Sequence, residues 1–177
     1  ADFAKFCGTS FAQKNKAHGY FDDGREVSGG GLEFPLFAAG LWLSTQETAQ
    51  FLTRLSESFA TTEGSAPLSH DTAVRMLHGH DKGSREFMGA DMGLGVFIIE
   101  AGENKFALHQ GANEGFRALF LHCFSGPDHG KGLVICANGD NRAVGFIAEV
   151  AQIILKALHV EGIDFSRFES EFDYKKI

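Results

Sequence analysis

Basic residues never gather in this sequence, and its 16 Lys and Arg are outnumbered by 23 Asp and Glu, leaving a net charge of −7. Binding to a phosphate backbone needs the opposite balance, so no nucleic-acid partner is expected. No apolar stretch reaches membrane-spanning length; Gly93–Ile99 and Gly145–Leu158 are too short or too interrupted, and no membrane span is expected. No charged–apolar–small-residue leader follows Ala1, so any signal peptide is expected to be absent or already removed, and the compartment, periplasmic or cytoplasmic, stays open. Cysteine is scarce: Cys7, Cys123 and Cys136 have no C-x-x-C spacing, and an odd number gives no disulfide framework. Two of them, Cys123 and Cys136, fall in runs that read as core strands. Internal repeats and low-complexity tracts are also missing.

What is present points to a folded chain. Its 177 residues can build one full-sized domain, and 44% hydrophobic residues, 18 of them Phe, argue against disorder. The first part, residues 1–90, reads as loops and helices. Gly19–Gly24 offers a turn, Ser28–Gly31 a loop, and Phe34–Trp42 a compact apolar block with Pro35 near its start. Ser44 followed by Glu47 has the capping-box pattern and opens a helix to about Phe59, with Ala49, Leu52 and Leu55/Phe59 on one face and Phe51 beside them. Asp71–Leu77 suggests a second short helix stopped by Gly79.

From residue 91 to 160 the pattern changes. Gly93–Glu100, Lys105–Gln110, Phe116–Cys123 and Gly132–Ala137 are short apolar runs between Gly/Asn/Asp clusters, as antiparallel strands would be. Gly102–Asn104 is short enough for a hairpin turn, and Ser125–Lys131 connects the last pair. Asn138–Asn141 caps a closing helix to about Leu158, with Val144, Ile147, Val150/Ala151, Ile154 and Leu158 as its stripe and Phe146 and Ile153 widening it. Residues 161–177 form a tail of Phe among charges. The fold class is therefore α/β in the α+β sense, an antiparallel sheet covered by helices.

The most informative stretch is His109–Cys123. An imidazole precedes two glycines and then an apolar run that reads as a strand buried on both faces. By itself that pattern is more simply a hairpin carrying a surface histidine; it also fits a histidine held at a cleft rim, and the rest of the chain bears on the choice. His78, His80 and Asp81, with His70 and Asp71 nearby, invite a metal reading. Converging ligands are not visible in sequence, and a solvated helix end accounts for the same residues, so no metal and no cofactor is expected.

Several pieces, in this order, resemble the C-terminal half of the serine β-lactamase-like family, which includes class C β-lactamases, D-aminopeptidases and esterases. Phe37-Ala-Ala-Gly-Leu-Trp42 with Glu47, Ala49 and Phe51 resembles its A-A-G-L-W block, though Glu47 replaces Asp and Leu43 a small hydroxyl residue. Lys5–Gly8, Thr9–Phe11 and Gly19-Tyr20 resemble the segment before it. Gly93-Leu-Gly95 is similar to the Y-G-L-G-W strand with Met92 for Tyr, His109-x-Gly111-x-x-x-Gly115-Phe116 to the H-x-G-x-x-x-G-F box, and Cys136-Ala-Asn138 to the closing strand.

The resemblance implies hydrolysis of an amide, lactam or ester through an acyl-enzyme. It implies that His109 faces the cleft, that Ala112 supplies a backbone N–H to the oxyanion hole, and that substrate lies along Gln110 and Gly111. The departure is large. None of the serines, Ser10 through Ser170, has lysine three residues on, and neither Tyr20 nor Tyr174 has asparagine two residues on. Both boxes would precede Ala1 in the family's order. The chain alone is therefore expected to be inactive, and to need a partner segment or chain carrying the serine, lysine and tyrosine, or else to associate with itself. The alternative is a non-catalytic binding subunit or relic of that fold.

Overall fold

The computed structural model describes residues 16–28, 41–62, 68–80 and 89–165. Among these the elements run α1 (Thr45–Ala60), α2 (His70–Met76), β1 (Asp91–Met92), β2 (Phe97–Ala101), β3 (Asn104–Asn113), β4 (Phe116–Ser125), β5 (Gly132–Ala137) and α3 (Asn141–Ala157). Lys5–Phe11, most of the Phe34–Trp42 block, Asp81 and the tail from residue 166 onward lie outside the described residues.

Helix α1 starts where the capping box predicts. The Ser44 hydroxyl accepts the Glu47 N–H at 3.2 Å, and the Glu47 carboxylate accepts the Ser44 N–H at 2.9 Å, so two otherwise unpaired donors are satisfied together. Ser44→Ala removes half of that exchange and should cost about 1 kcal/mol, read as a lowered urea midpoint at unchanged slope.

The five strands form one antiparallel sheet in sequence order. Tight connections make that order inevitable: the β2–β3 turn has only Gly102 and Glu103 between the strands, with Gly102 at φ 61°. The sheet sorts its side chains by parity. Leu119, Leu121 and Cys123 of β4 join Phe106, Leu108, Leu133 and Ile135 against Val144, Ile147, Ala151 and Leu155 of α3. On the other face Ala107, Ile98 and Phe124 meet Leu55 of α1 and Ala73 and Leu77 at α2. The molecule is thus α+β, helix on both faces of an antiparallel sheet.

Four expectations need correction. β4 is enclosed on both faces only from Leu121 to Phe124; Ala118 is exposed because no described helix covers that end. Cys136 is exposed, because it lies beside Ala118 on a face of the sheet that no described helix covers at that end, whereas Cys123 is buried. Phe146 and Ile153 do not widen the core stripe of α3: they are 58% and 61% exposed, because the sheet sits nearly opposite them around the helix. The closing helix also begins without a side-chain cap, as Asp140 is engaged elsewhere. No helix among the described residues is long and apolar enough to cross a membrane.

Candidate functional site

β3 is twice as long as β2, and the difference creates the site. β2 pairs with β3 only as far as Phe97 opposite Leu108, while β4 continues alongside β3 to Asn113. Among the described residues nothing pairs with the outer edge of His109–Asn113. Which backbone groups point out there follows from the ladder. The Cys123 N–H donates to Lys131 O at 2.8 Å, so Cys123 faces β5 and His122 faces β3. Successive residues alternate, and the register places Ala107, His109 and Gly111 opposite His122, Phe120 and Ala118. Those three residues bond to β4. The N–H and C=O of Gln110 and Ala112 therefore face the open edge.

The His109 ring stacks on Phe120 at 6.1 Å between centroids and lies 6.0 Å from Phe97. Its outer edge is exposed, but these neighbours strip water from its faces. That burial lowers its pKa below the usual histidine range, opposed by a hydrogen bond with the Gln110 backbone. At neutral pH the ring is uncharged, suited to hydrogen bonding and proton transfer and unsuited to holding a carboxylate by charge.

The two glycines of the box differ in kind. At Gly111 an added Cβ would meet only Ala118 Cβ, at 3.9 Å, so packing does not require glycine there and its absence of side chain leaves the strand bare beside His109. At Gly115, φ is +70° and a Cβ would lie 2.6 Å from Val27 Cγ2, so the turn demands glycine. Around that turn the segment 16–28 is pinned: Asn138 Nδ2 donates to His18 O at 3.0 Å, and Arg142 N–H to Asp22 at 3.0 Å. Trp42 sits edge-on to Phe116 at 5.3 Å, as an anchor for the same turn.

No protein-family model matches this chain, and no curated protein matches it. The histidines read as possible ligands are used locally. The His80 ring bonds Arg75 O at 2.6 Å, and His70 Nδ1 lies 3.2 Å from Ser58 O. Among the described residues no three His, Cys, Asp or Glu side chains converge as a metal site would require.

Two clusters escape sequence reasoning. Arg117 is 8% exposed and its guanidinium holds Asp140 at 2.6 Å, Asn141 at 3.1 Å, and the carbonyls of Asn113 and Phe116 at 2.6 and 2.8 Å. It locks the β3–β4 turn to the start of α3. Beneath α1, His122 is 7% exposed, and nearby His129 bonds the buried Ser56 hydroxyl through Nε2 at 3.0 Å. Burial, reinforced by His129, pushes the His122 pKa down to about 4. A cleft of about 350 Å³ opens here between α1 and the β4–β5 hairpin, and His109 is not among its walls. His122 stood inside the apolar run, and only the pairing of β4 under α1 distinguishes it from a surface histidine.

Proposed function

We propose that this chain is the C-terminal part of a β-lactamase-like serine hydrolase that binds its substrate along the outer edge of β3. The observation that carries this reading is the open edge at Gln110 and Ala112 beside the His109 ring. An extended amide or ester can pair with that edge as an added strand, and the Ala112 N–H then points at its carbonyl oxygen. His109 is placed to exchange a proton with the reacting group or hold it by a hydrogen bond, and its neutral ring favours substrates that need no carboxylate. Ala118 and Cys136, exposed next to Gly111 on the same face of the sheet, leave room for a covering segment that would bring the serine, lysine and tyrosine.

The chain alone should take up no fluorophosphonate or β-lactam label, because no serine has the S-x-x-K lysine. Combined with a polypeptide carrying S-x-x-K and Y-x-N, it should hydrolyse a chromogenic ester. His109→Ala should lower that rate by about 100-fold without preventing assembly. Stoichiometric serine labelling of the isolated chain would reject this division of labour. Assembly without hydrolysis would favour a binding role for the same edge.

A further inference from the structure

The chain contains the asparagines Asn15, Asn104, Asn113, Asn138 and Asn141, and of these Asn138 alone is followed by glycine. That neighbour matters, because a glycine nitrogen carries no adjacent Cβ to crowd its attack on the preceding side chain. Asn138 and Gly139 lie in the irregular link between β5 and α3, and Asn138 is exposed to water. Among the described residues the Gly139 N–H donates no hydrogen bond. The other described asparagines are held more firmly. Asn104 is engaged through both side-chain atoms, Nδ2 donating to Asp128 at 2.8 Å and Oδ1 accepting the Asp128 N–H at 2.9 Å. Asn113 is paired with Phe116 in the sheet, and Asn141 opens α3 with its Oδ1 on Arg117 at 3.1 Å.

The Asn138 side chain is also a joint. Its Nδ2 donates to His18 O at 3.0 Å and fastens the segment 16–28 to the link that leads into α3. The same segment packs on the β3–β4 turn, with Gly19 against Phe116 and both Tyr20 and Val27 against Gly115. It closes on itself through the Val27 N–H, which donates to Gly19 O at 2.8 Å, and its Asp22 accepts the Arg142 N–H at 3.0 Å. The bond to His18 O needs a donor, and only the amide form of the Asn138 side chain supplies one.

We infer that Asn138–Gly139 is a self-modifying site, where water converts the side-chain amide to a carboxylate and thereby loosens the segment 16–28 from the start of α3. The Gly139 backbone nitrogen gives up its proton to hydroxide, attacks Asn138 Cγ and closes a succinimide ring. The Cγ–Nδ2 bond breaks, and the departing nitrogen takes a proton from water and leaves as ammonia. A water molecule then opens the ring at either carbonyl, giving aspartate or isoaspartate. In sum an amide and a water become a carboxylate and an ammonium ion, with no oxidant or reductant. The product turns an acceptor toward the His18 carbonyl, another acceptor, so the bond is replaced by repulsion. None of this depends on what the β3 edge binds.

The test holds the folded full chain at mildly alkaline pH and maps its peptides by mass spectrometry at intervals. Asn138 should gain about 1 Da at least about tenfold faster than Asn104, Asn113 or Asn141, with aspartate and isoaspartate both present. Asn138→Gln should abolish the gain at that position, because the extra methylene makes ring closure slow. The modified chain, separated by anion exchange through its added negative charge, should exchange the Arg142 and Val27 amides about tenfold faster than the parent, with the β4 amides unchanged. Asn138→Asp should reproduce that pattern without ageing. If Asn138 gains mass no faster than Asn104, Asn113 and Asn141, the site is overturned. Unchanged exchange at Arg142 and Val27 in both the aged chain and Asn138→Asp would overturn the loosening.

Discussion

Lowering the pH from 7 to 4 is expected to remove about 3 kcal/mol from the unfolding free energy, with His122 as the principal cause. The imidazole sits under α1 at 7% exposure, with Nε2 unpartnered and the His129 side chain near enough to disfavour its charge. Burial first, and His129 second, move its pKa from 6.5 to about 4. The folded state thus favours the neutral ring, and between these pH values the unfolded chain binds more protons. Stability is full above pH 6.5, declines as the pH falls, and is lost once it passes about 4. Against the 5–15 kcal/mol of an ordinary domain, that is a large share. His122→Phe keeps the shape and removes the titration. It should flatten the decline, and at neutral pH should match or slightly exceed the parent, because no made hydrogen bond is lost. Urea unfolding of both proteins from pH 7 to 4 measures this directly. Parallel curves would show that another group is responsible.

Asp140→Ala should be the most damaging single exchange outside the apolar core, costing about 3 kcal/mol or more. Arg117 is nearly enclosed, and its charge is matched by Asp140 at 2.6 Å. Removing the carboxylate takes away the acidic partner that Asp140 supplies and leaves a nearly enclosed guanidinium with one fewer charge-assisted hydrogen bond. The effect should appear both in the urea midpoint and in faster amide exchange at the β3–β4 turn, since Arg117 also binds Asn113 O and Phe116 O. Exchanging both partners for apolar residues, Arg117→Met with Asp140→Leu, should recover a substantial part of the loss, because no charge is then buried alone. A double variant as unstable as the sum of the two singles would show that the pair acts independently.

Much of this architecture is written in short-range pattern. Ser44 and Glu47 begin α1 because a hydroxyl and a carboxylate three residues apart satisfy each other's backbone, which needs no other part of the chain. The β2–β3 hairpin follows from Gly102 at positive φ, and the register of the later strands from their own turns. The alternation within β4 is harder to see. Leu119, Leu121 and Cys123 face α3 while Phe120, His122 and Phe124 face the other side, so both sets are hydrophobic or aromatic and the period is hidden. Phe146 and Ile153 mislead in the opposite way, since an apolar residue at helical spacing need not face the core.

Sequence by itself determined the three helices, the order of the main hairpins, the net acidic charge and the His109–Gly115 box, because capping, turn conformation and periodicity act over a few residues; it missed β1 and started β2 too early, at Gly93. Only the tertiary structure decided what those pieces can do. That β2 stops at Phe97, so that no described strand pairs with the outer edge of Gln110 and Ala112, depends on the relative lengths of three strands. That His122 is neutral and His109 partly desolvated depends on which helix and which rings lie over each, residues far apart in the chain. Arg117 finds Asp140 only when the β3–β4 turn meets the start of α3. Local rules act along the chain, whereas burial and charge pairing are properties of the volume the chain encloses.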